Sequence, residues 1–116
     1  MTHQELSDQV KTVYRTVVND YRLIPDKATK ASFILDFIVD ERIQRREWPY
    51  PAIIAEQFHI SMRATYKHLD YLDIAFRVGA PKGFPEQISW VANMLWCGMT
   101  VEEVVRILKR WIYGLD

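Results

Sequence analysis

Residues 61–67 read Ser-Met-Arg-Ala-Thr-Tyr-Lys, and their side chains could together hold an anion. On a helix, positions three and four apart share a face, so Arg63 and Lys67 project together with Tyr66 beside them. A guanidinium and an ammonium so placed can bind phosphate oxygens or the acceptor edge of guanine. Met62 and Tyr66 add apolar surface suited to thymine methyls or sugars. Ser61 is a natural N-cap, its hydroxyl accepting an otherwise orphaned amide. The positive end of the helix dipole falls at the same place. Further on, Arg77 and Lys82 flank Gly79 and Gly83 and would add two cations near a loop tip.

Other chemistry is poorly supplied. Asp36 and Asp40 lie one helical turn apart, but no His, Cys or Gly-rich loop accompanies them, so they read as a solvated face. His59 and His68 are nine apart with no Cys-x-x-Cys partner, which argues against zinc. Cys97 is the single cysteine, so it makes no internal disulfide and cannot alone hold a metal. There is no Gly-x-Ser-x-Gly, no P-loop and no Gly-x-Gly-x-x-Gly. No enzyme activity, cofactor or metal is expected.

The elements that must position 61–67 are helices. Over 5–22, Leu6, Val10, Val13, Val17 and Tyr21 step by three or four, which predicts an amphipathic helix. A second helix is predicted over 27–46, with Ala31, Ile34, Leu35, Ile38, Val39 and Arg42 on one stripe that Phe33 and Phe37 widen. Trp48-Pro49-Tyr50-Pro51 is an extended connector, and Pro51 suits the first position of a short helix, 51–58. The helix opened by Ser61 should run to about Leu72. Ile74, Phe76 and Val78 alternate with Ala75 and Arg77, a short period-2 signal for a strand. A turn-rich loop, 79–85, precedes an apolar helix, 86–97, closed by Gly98. Thr100 and Glu103 form a capping box for a last helix, 101–113, whose stripe is Val101, Val104, Val105, Leu108, Trp111 and Ile112.

Within 53–72 the residues fit two helices joined by a tight turn. Such a pair needs a small residue at the crossing, apolar inner faces and an apolar plug in the turn. Ala55 is the small residue, Ile54 and Phe58 the first inner face, and Ile60 the plug. Thr65, Leu69 and Leu72 make the second inner face. These residues resemble the helix-turn-helix of winged bacterial regulators of the DeoR-like and biotin-repressor-like type. The match rests on Ile54-Ala55-Glu56, Phe58, Ile60-Ser61, Arg63, Tyr66, Leu69 and Leu72, about a fifth of the chain. His59 departs from it by standing where a glycine is usual, and Ala64-Thr65 replaces a Thr-apolar pair. The resemblance implies DNA binding through the second helix, with a β wing beside it. Residues 88–111 hold a fainter echo of the helix pair in MerR-like and excisionase-like proteins, carried by Gly-Met-Thr-Val-Glu-Glu at 98–103.

The resulting expectation is a mostly α fold in one domain over 1–116. A helical hairpin over 1–47 precedes a winged helix-turn-helix over 48–85 with a small, degenerate β wing. A second hairpin over 86–116 follows. The 116 residues suffice for one core without staples. Fifteen basic residues balance fifteen acidic ones, which excludes a polybasic wrapper of nucleic acid. Between 42 and 82, however, seven basic residues face four acidic ones, a local +3. The opening MTHQELSD has neither the basic nor the apolar region of a signal peptide, and no run approaches the roughly 18 apolar residues of a membrane span. A cytoplasmic protein without membrane contact is expected.

The helix over 86–97 is apolar almost all round, which calls for burial on every side. A homodimer is therefore expected, with Trp90, Met94, Trp96, Val104, Leu108 and Trp111 at its interface. The functional expectation is a small transcriptional regulator that binds double-stranded DNA as that dimer through Ser61, Met62, Arg63, Tyr66, Lys67, Arg77 and Lys82. Two alternatives stand beside it. One is a protein–protein module whose helix-turn-helix no longer binds DNA, and the other is a DNA-bending recombination accessory protein.

Overall fold

Apolar residues recurring at the helical period dominate the chain, and the structure, a computed structural model, is accordingly built from helices. It describes the backbone of residues 1–21, 29–44, 51–77 and 83–114, with side chains over 1–18, 31–44, 51–77 and 83–114. The helices are α1 (His3–Tyr21), α2 (Thr29–Gln44), α3 (Pro51–Phe58), α4 (Met62–Ala75), α5 (Phe84–Trp96) and α6 (Val101–Tyr113). None is long and apolar enough to cross a membrane. There is no strand among the described residues.

Helix α5 is the centre and touches α1, α2, α4 and α6. Its Phe84, Ile88, Val91 and Leu95 are buried, as are Leu6, Val10, Val13, Tyr14 and Val17 of α1. Ile34, Ile38 and Val39 of α2 and Val104, Leu108 and Ile112 of α6 complete the core. Burying each such side chain contributes about 1.5–3 kcal/mol. The helix ends follow capping chemistry. Thr100 and Glu103 form the reciprocal capping box at α6, and Gly114 closes that helix in the left-handed region at φ 64°.

Several expectations are corrected. The apolar character of α5 does not require a partner chain, because helices of the same chain surround it and only one side, with Trp90, Asn93 and Trp96, is open. Phe33 does not widen the α2 stripe; it lies in solvent, while Phe37 packs edge-to-face on Phe58 with centroids 5.6 Å apart. No strand begins at Ile74. Helix α4 continues to Ala75 and turns at Phe76 and Arg77, because Leu72 and Phe76, four apart, are both fully buried on one helical face. A two-residue alternation fits either period, and the aromatic core decides it. Val78, Gly79 and Lys82, the rest of the expected wing, lie outside the described residues, as do Trp48 and Tyr50. Asp36 and Asp40 are not a solvated face. Asp40 lies 2.8 Å from the Lys11 ammonium and accepts from Ser7 Oγ at 2.6 Å, and Asp36 lies 2.6 Å from Arg15, so the two acids tie α2 to α1.

One buried polar bridge runs through the core. The Tyr14 hydroxyl donates to Gln87 Oε1 at 2.9 Å, and Gln87 Nε2 donates to the Phe76 carbonyl at 3.2 Å. Tyr14 also stands edge-to-face on Phe76 with centroids 5.1 Å apart, and Phe84 closes the cluster at 5.2 Å from Tyr14. Burial pushes the Tyr14 phenol well above the ordinary tyrosine range. The folded protein therefore holds this proton more tightly than the unfolded chain. The associated stability is complete below about pH 10 and is lost as pH rises above it. Replacing Tyr14 by Phe leaves the Gln87 oxygen without its donor and should cost about 1–3 kcal/mol at neutral pH. It should also remove this residue's share of the alkaline loss. Urea unfolding of both proteins near pH 7 and about pH 10.5 checks both expectations.

Candidate nucleic-acid interface

Helix α3 ends because its chain turns left-handed at His59, where φ is 54°. The Ile60 amide reaches back to the Ala55 carbonyl at 3.1 Å and the His59 amide to Glu56 at 3.4 Å. This is the paired-bond helix ending usually built on glycine, with Ile60 as its apolar contact to the core. The chain then extends through Ser61, at φ −70° and ψ 158°, whose Oγ accepts from the Ala64 amide at 3.0 Å. The expected N-cap is therefore present and defines the start of α4.

The inner face of α4 is Thr65, Leu69, Leu72 and Phe76, with Thr65 and Leu72 fully buried. The inward threonine does not weaken the core as a stray polar group would, because its hydroxyl donates to the Ser61 carbonyl at 3.0 Å. The outer face carries Ser61, Met62, Arg63, Tyr66, Lys67 and Asp70, all exposed. Met62 is 42% and Tyr66 52% accessible. Arg63 and Lys67 make no ion pair or side-chain hydrogen bond among the described residues. That contrasts with Lys11 and Arg15, whose charges are matched within the fold. Ile74, on the same helix, is 76% exposed, an apolar contribution to this surface that counting charges alone overlooks.

The far end of α4 is anchored differently. The Asp73 carboxylate accepts from the Phe84 amide at 3.1 Å and so caps α5, whose own N-cap, Gly83, has no side chain to do so. Partial burial raises the Asp73 pKa and the charge of Asp70 adds to the rise, while the Phe84 bond works against both. Arg77 is exposed and left-handed at φ 46°, and its amide bonds the Ile74 carbonyl at 3.1 Å. Arg77 thus lies at the C-terminal end of α4, the end opposite Ser61 and Arg63. Lys82, the other expected cation, lies outside the described residues.

The expected interface residues separate into two groups. Val104 and Leu108 are fully buried in the chain's own core and have no surface to offer a second copy, which corrects their assignment. Trp90, Trp96 and Trp111 are exposed, and Met94 is half-buried against the core. Trp90 and Trp111 meet edge-to-face with centroids 5.7 Å apart, joining α5 and α6 at the surface. Among the described residues no three His, Cys, Asp or Glu side chains converge as a metal site would require. No protein-family model, curated protein or solved structure matches the chain.

Two non-glycine residues, His59 and Arg77, thus bracket α4 in the left-handed region. Such a conformation costs an L-residue roughly 1–2 kcal/mol, less for His than for most. Substituting either residue by Gly relieves this cost and adds some unfolded-state entropy. Each change should yield a net stabilisation of about 0.5–1 kcal/mol, seen as a Tm rise of a few degrees. A β-branched His59→Val should instead lower Tm. Thermal melts followed by circular dichroism read both directions.

Proposed function

We propose that α3, the turn at 59–61 and α4 form a helix-turn-helix, and that the chain is a small sequence-specific DNA-binding regulator. The observation that carries the reading is the outer face of α4, where Arg63 and Lys67 stand exposed and unpaired beside Tyr66 and Met62. With Ser61 capping it, the positive end of α4 is presented on the same surface. In this reading the first two turns of α4 enter the major groove. Arg63 and Lys67 meet phosphates or guanine edges, and Met62 and Tyr66 meet apolar groups of bases and sugars. Arg77, with Lys82, contacts the flanking backbone in place of a full wing. The regulator acts as a cytoplasmic homodimer through Trp90, Trp96 and Trp111 with Met94. Its two copies of α4 then lie roughly 34 Å apart, one duplex turn.

A second reading is favoured by one observation: Met62, Tyr66 and Ile74 make the same face more apolar than phosphate binding needs. In that reading α4 is the docking surface for another protein. The third, a DNA-bending accessory role, shares the α4 contact and differs in the shape it imposes on the duplex.

The test begins with selection of duplexes from a random pool by the intact protein. Binding of the selected duplex should weaken at least tenfold in the Arg63→Ala, Lys67→Ala double variant, with the logarithmic salt slope reduced by about two. If no duplex is enriched, or if affinity and slope are unchanged in the double variant, the DNA reading fails. A gel-mobility series with the site placed at the centre and at the end of the fragment separates a bender from a plain binder.

A further inference from the structure

A half-open cleft of about 470 Å³ lies between the start of α1, the end of α2 and the middle of α5, within the range of small-ligand sites. Helix α4 contributes none of its described lining, so the cleft is separate from the α4 surface. Leu6, Ile43 and Ala92 form its nearly buried apolar floor. The one Arg in the described lining is already committed. Arg42 Nε donates to Ser89 Oγ at 2.8 Å, Ser89 Oγ donates in turn to the Pro85 carbonyl at 3.3 Å, and Arg42 has a further partner within the chain. No Asp, Glu or Lys is among the described lining residues. Neither Arg42 nor any acid is thus available there to pair with an ionic ligand. What stays open is an amide and two rings. Asn93 is exposed, and its side chain makes no hydrogen bond among the described residues. Trp96, three residues on and so on the same face of α5, is 55% exposed. The His3 imidazole braces its indole, with centroids 6.4 Å apart at 61°.

We infer that this cleft binds a free nucleoside through a neutral, adenine-type base. An adenine edge carries an amino donor beside a ring-nitrogen acceptor, and an Asn carboxamide matches that edge with two hydrogen bonds. Asn93 supplies the carboxamide, and Trp96 supplies the flat surface on which the ring stacks. The Leu6, Ile43 and Ala92 floor takes the apolar side of the ligand. A base without net charge suits a lining whose charged group is satisfied inside the fold. The same absence of an uncommitted Lys or Arg from the described lining favours a free nucleoside over a strand, whose phosphates need cations.

The inference does not rest on the DNA reading, and either can fail without the other. Isothermal titration calorimetry of the full chain compares adenosine with N6,N6-dimethyladenosine, which keeps the ring and loses the amino donor. Adenosine should bind about tenfold more tightly. Asn93→Ala should abolish that preference while leaving the dimethyl compound's affinity unchanged. Trp96→Ala should weaken both nucleosides alike. Both residues are exposed, and circular dichroism confirms that the variants keep their helices. Absence of binding at millimolar adenosine overturns the inference. So does equal binding of the dimethyl compound, or an unchanged adenosine titration in folded Asn93→Ala or Trp96→Ala protein. A short oligoadenylate that binds more tightly than adenosine, and loses that gain in Trp96→Ala, would assign the cleft to a strand and overturn it as well.

Discussion

A single buried amide holds the C-terminal end of α4 against the rest of the molecule. Gln87 uses its oxygen for the Tyr14 hydroxyl and its nitrogen for the Phe76 carbonyl, so three helices share one side chain. The geometry leaves little freedom, because a buried donor or acceptor without a partner costs about 1–3 kcal/mol. The rings of Tyr14, Phe76 and Phe84 pack around it and exclude water, which strengthens the bonds they enclose. A second tether, from Asp73 to the Phe84 amide, joins the same two helices one turn away. Together they set the direction of α4, and with it the direction in which Arg63 and Lys67 point.

Much of this architecture is legible in the residues. The stripe Leu6, Val10, Val13 and Val17 can only serve a helix, and Thr100 with Glu103 states where α6 begins. The inward set Thr65, Leu69 and Leu72 likewise fixes which side of α4 faces water. Legibility ends where two readings share one pattern. Ile74, Phe76 and Val78 satisfy a strand, yet Leu72 and Phe76 satisfy a helix equally, and only the ring cluster with Tyr14 chooses. The bridge from Tyr14 to Gln87 spans 73 positions and leaves no local trace. The pairing of Asp36 and Asp40 with Arg15 and Lys11 is hidden for the same reason: each partner is an ordinary surface residue until the two helices are side by side. Apolar composition alone also misjudged α5, since a central helix and an interface helix look alike in one dimension.

His59 and Arg77 bear on the candidate surface in another way. Both helix endings work by the same backbone bonds that Gly98 makes at the end of α5, with its amide 3.1 Å from the Leu95 carbonyl. Where only the turn matters, glycine occupies the position. At the two ends of α4 a side chain occupies it instead, despite the conformational cost. Both residues are exposed, so packing does not explain them.

The neutral total charge is no obstacle to such contacts. At physiological salt the Debye length is about 8 Å, so a phosphate at α4 responds to the charges near it and hardly to the sum over the chain. Within the fold the cations are used unevenly. Lys11 and Arg15 face carboxylates at 2.8 and 2.6 Å, and their fields are largely cancelled at the source. Arg63 and Lys67 make no such ion pair among the described residues, although Asp70 shares their exposed face three residues beyond Lys67. Asp73 is moreover turned to the Phe84 amide. Asp73 is thus satisfied by α5, and Arg63 stands in the first turn of α4, where the helix dipole is already positive. The proposed anion contacts of this surface rest on the unpaired Arg63 and Lys67, not on any excess of basic residues.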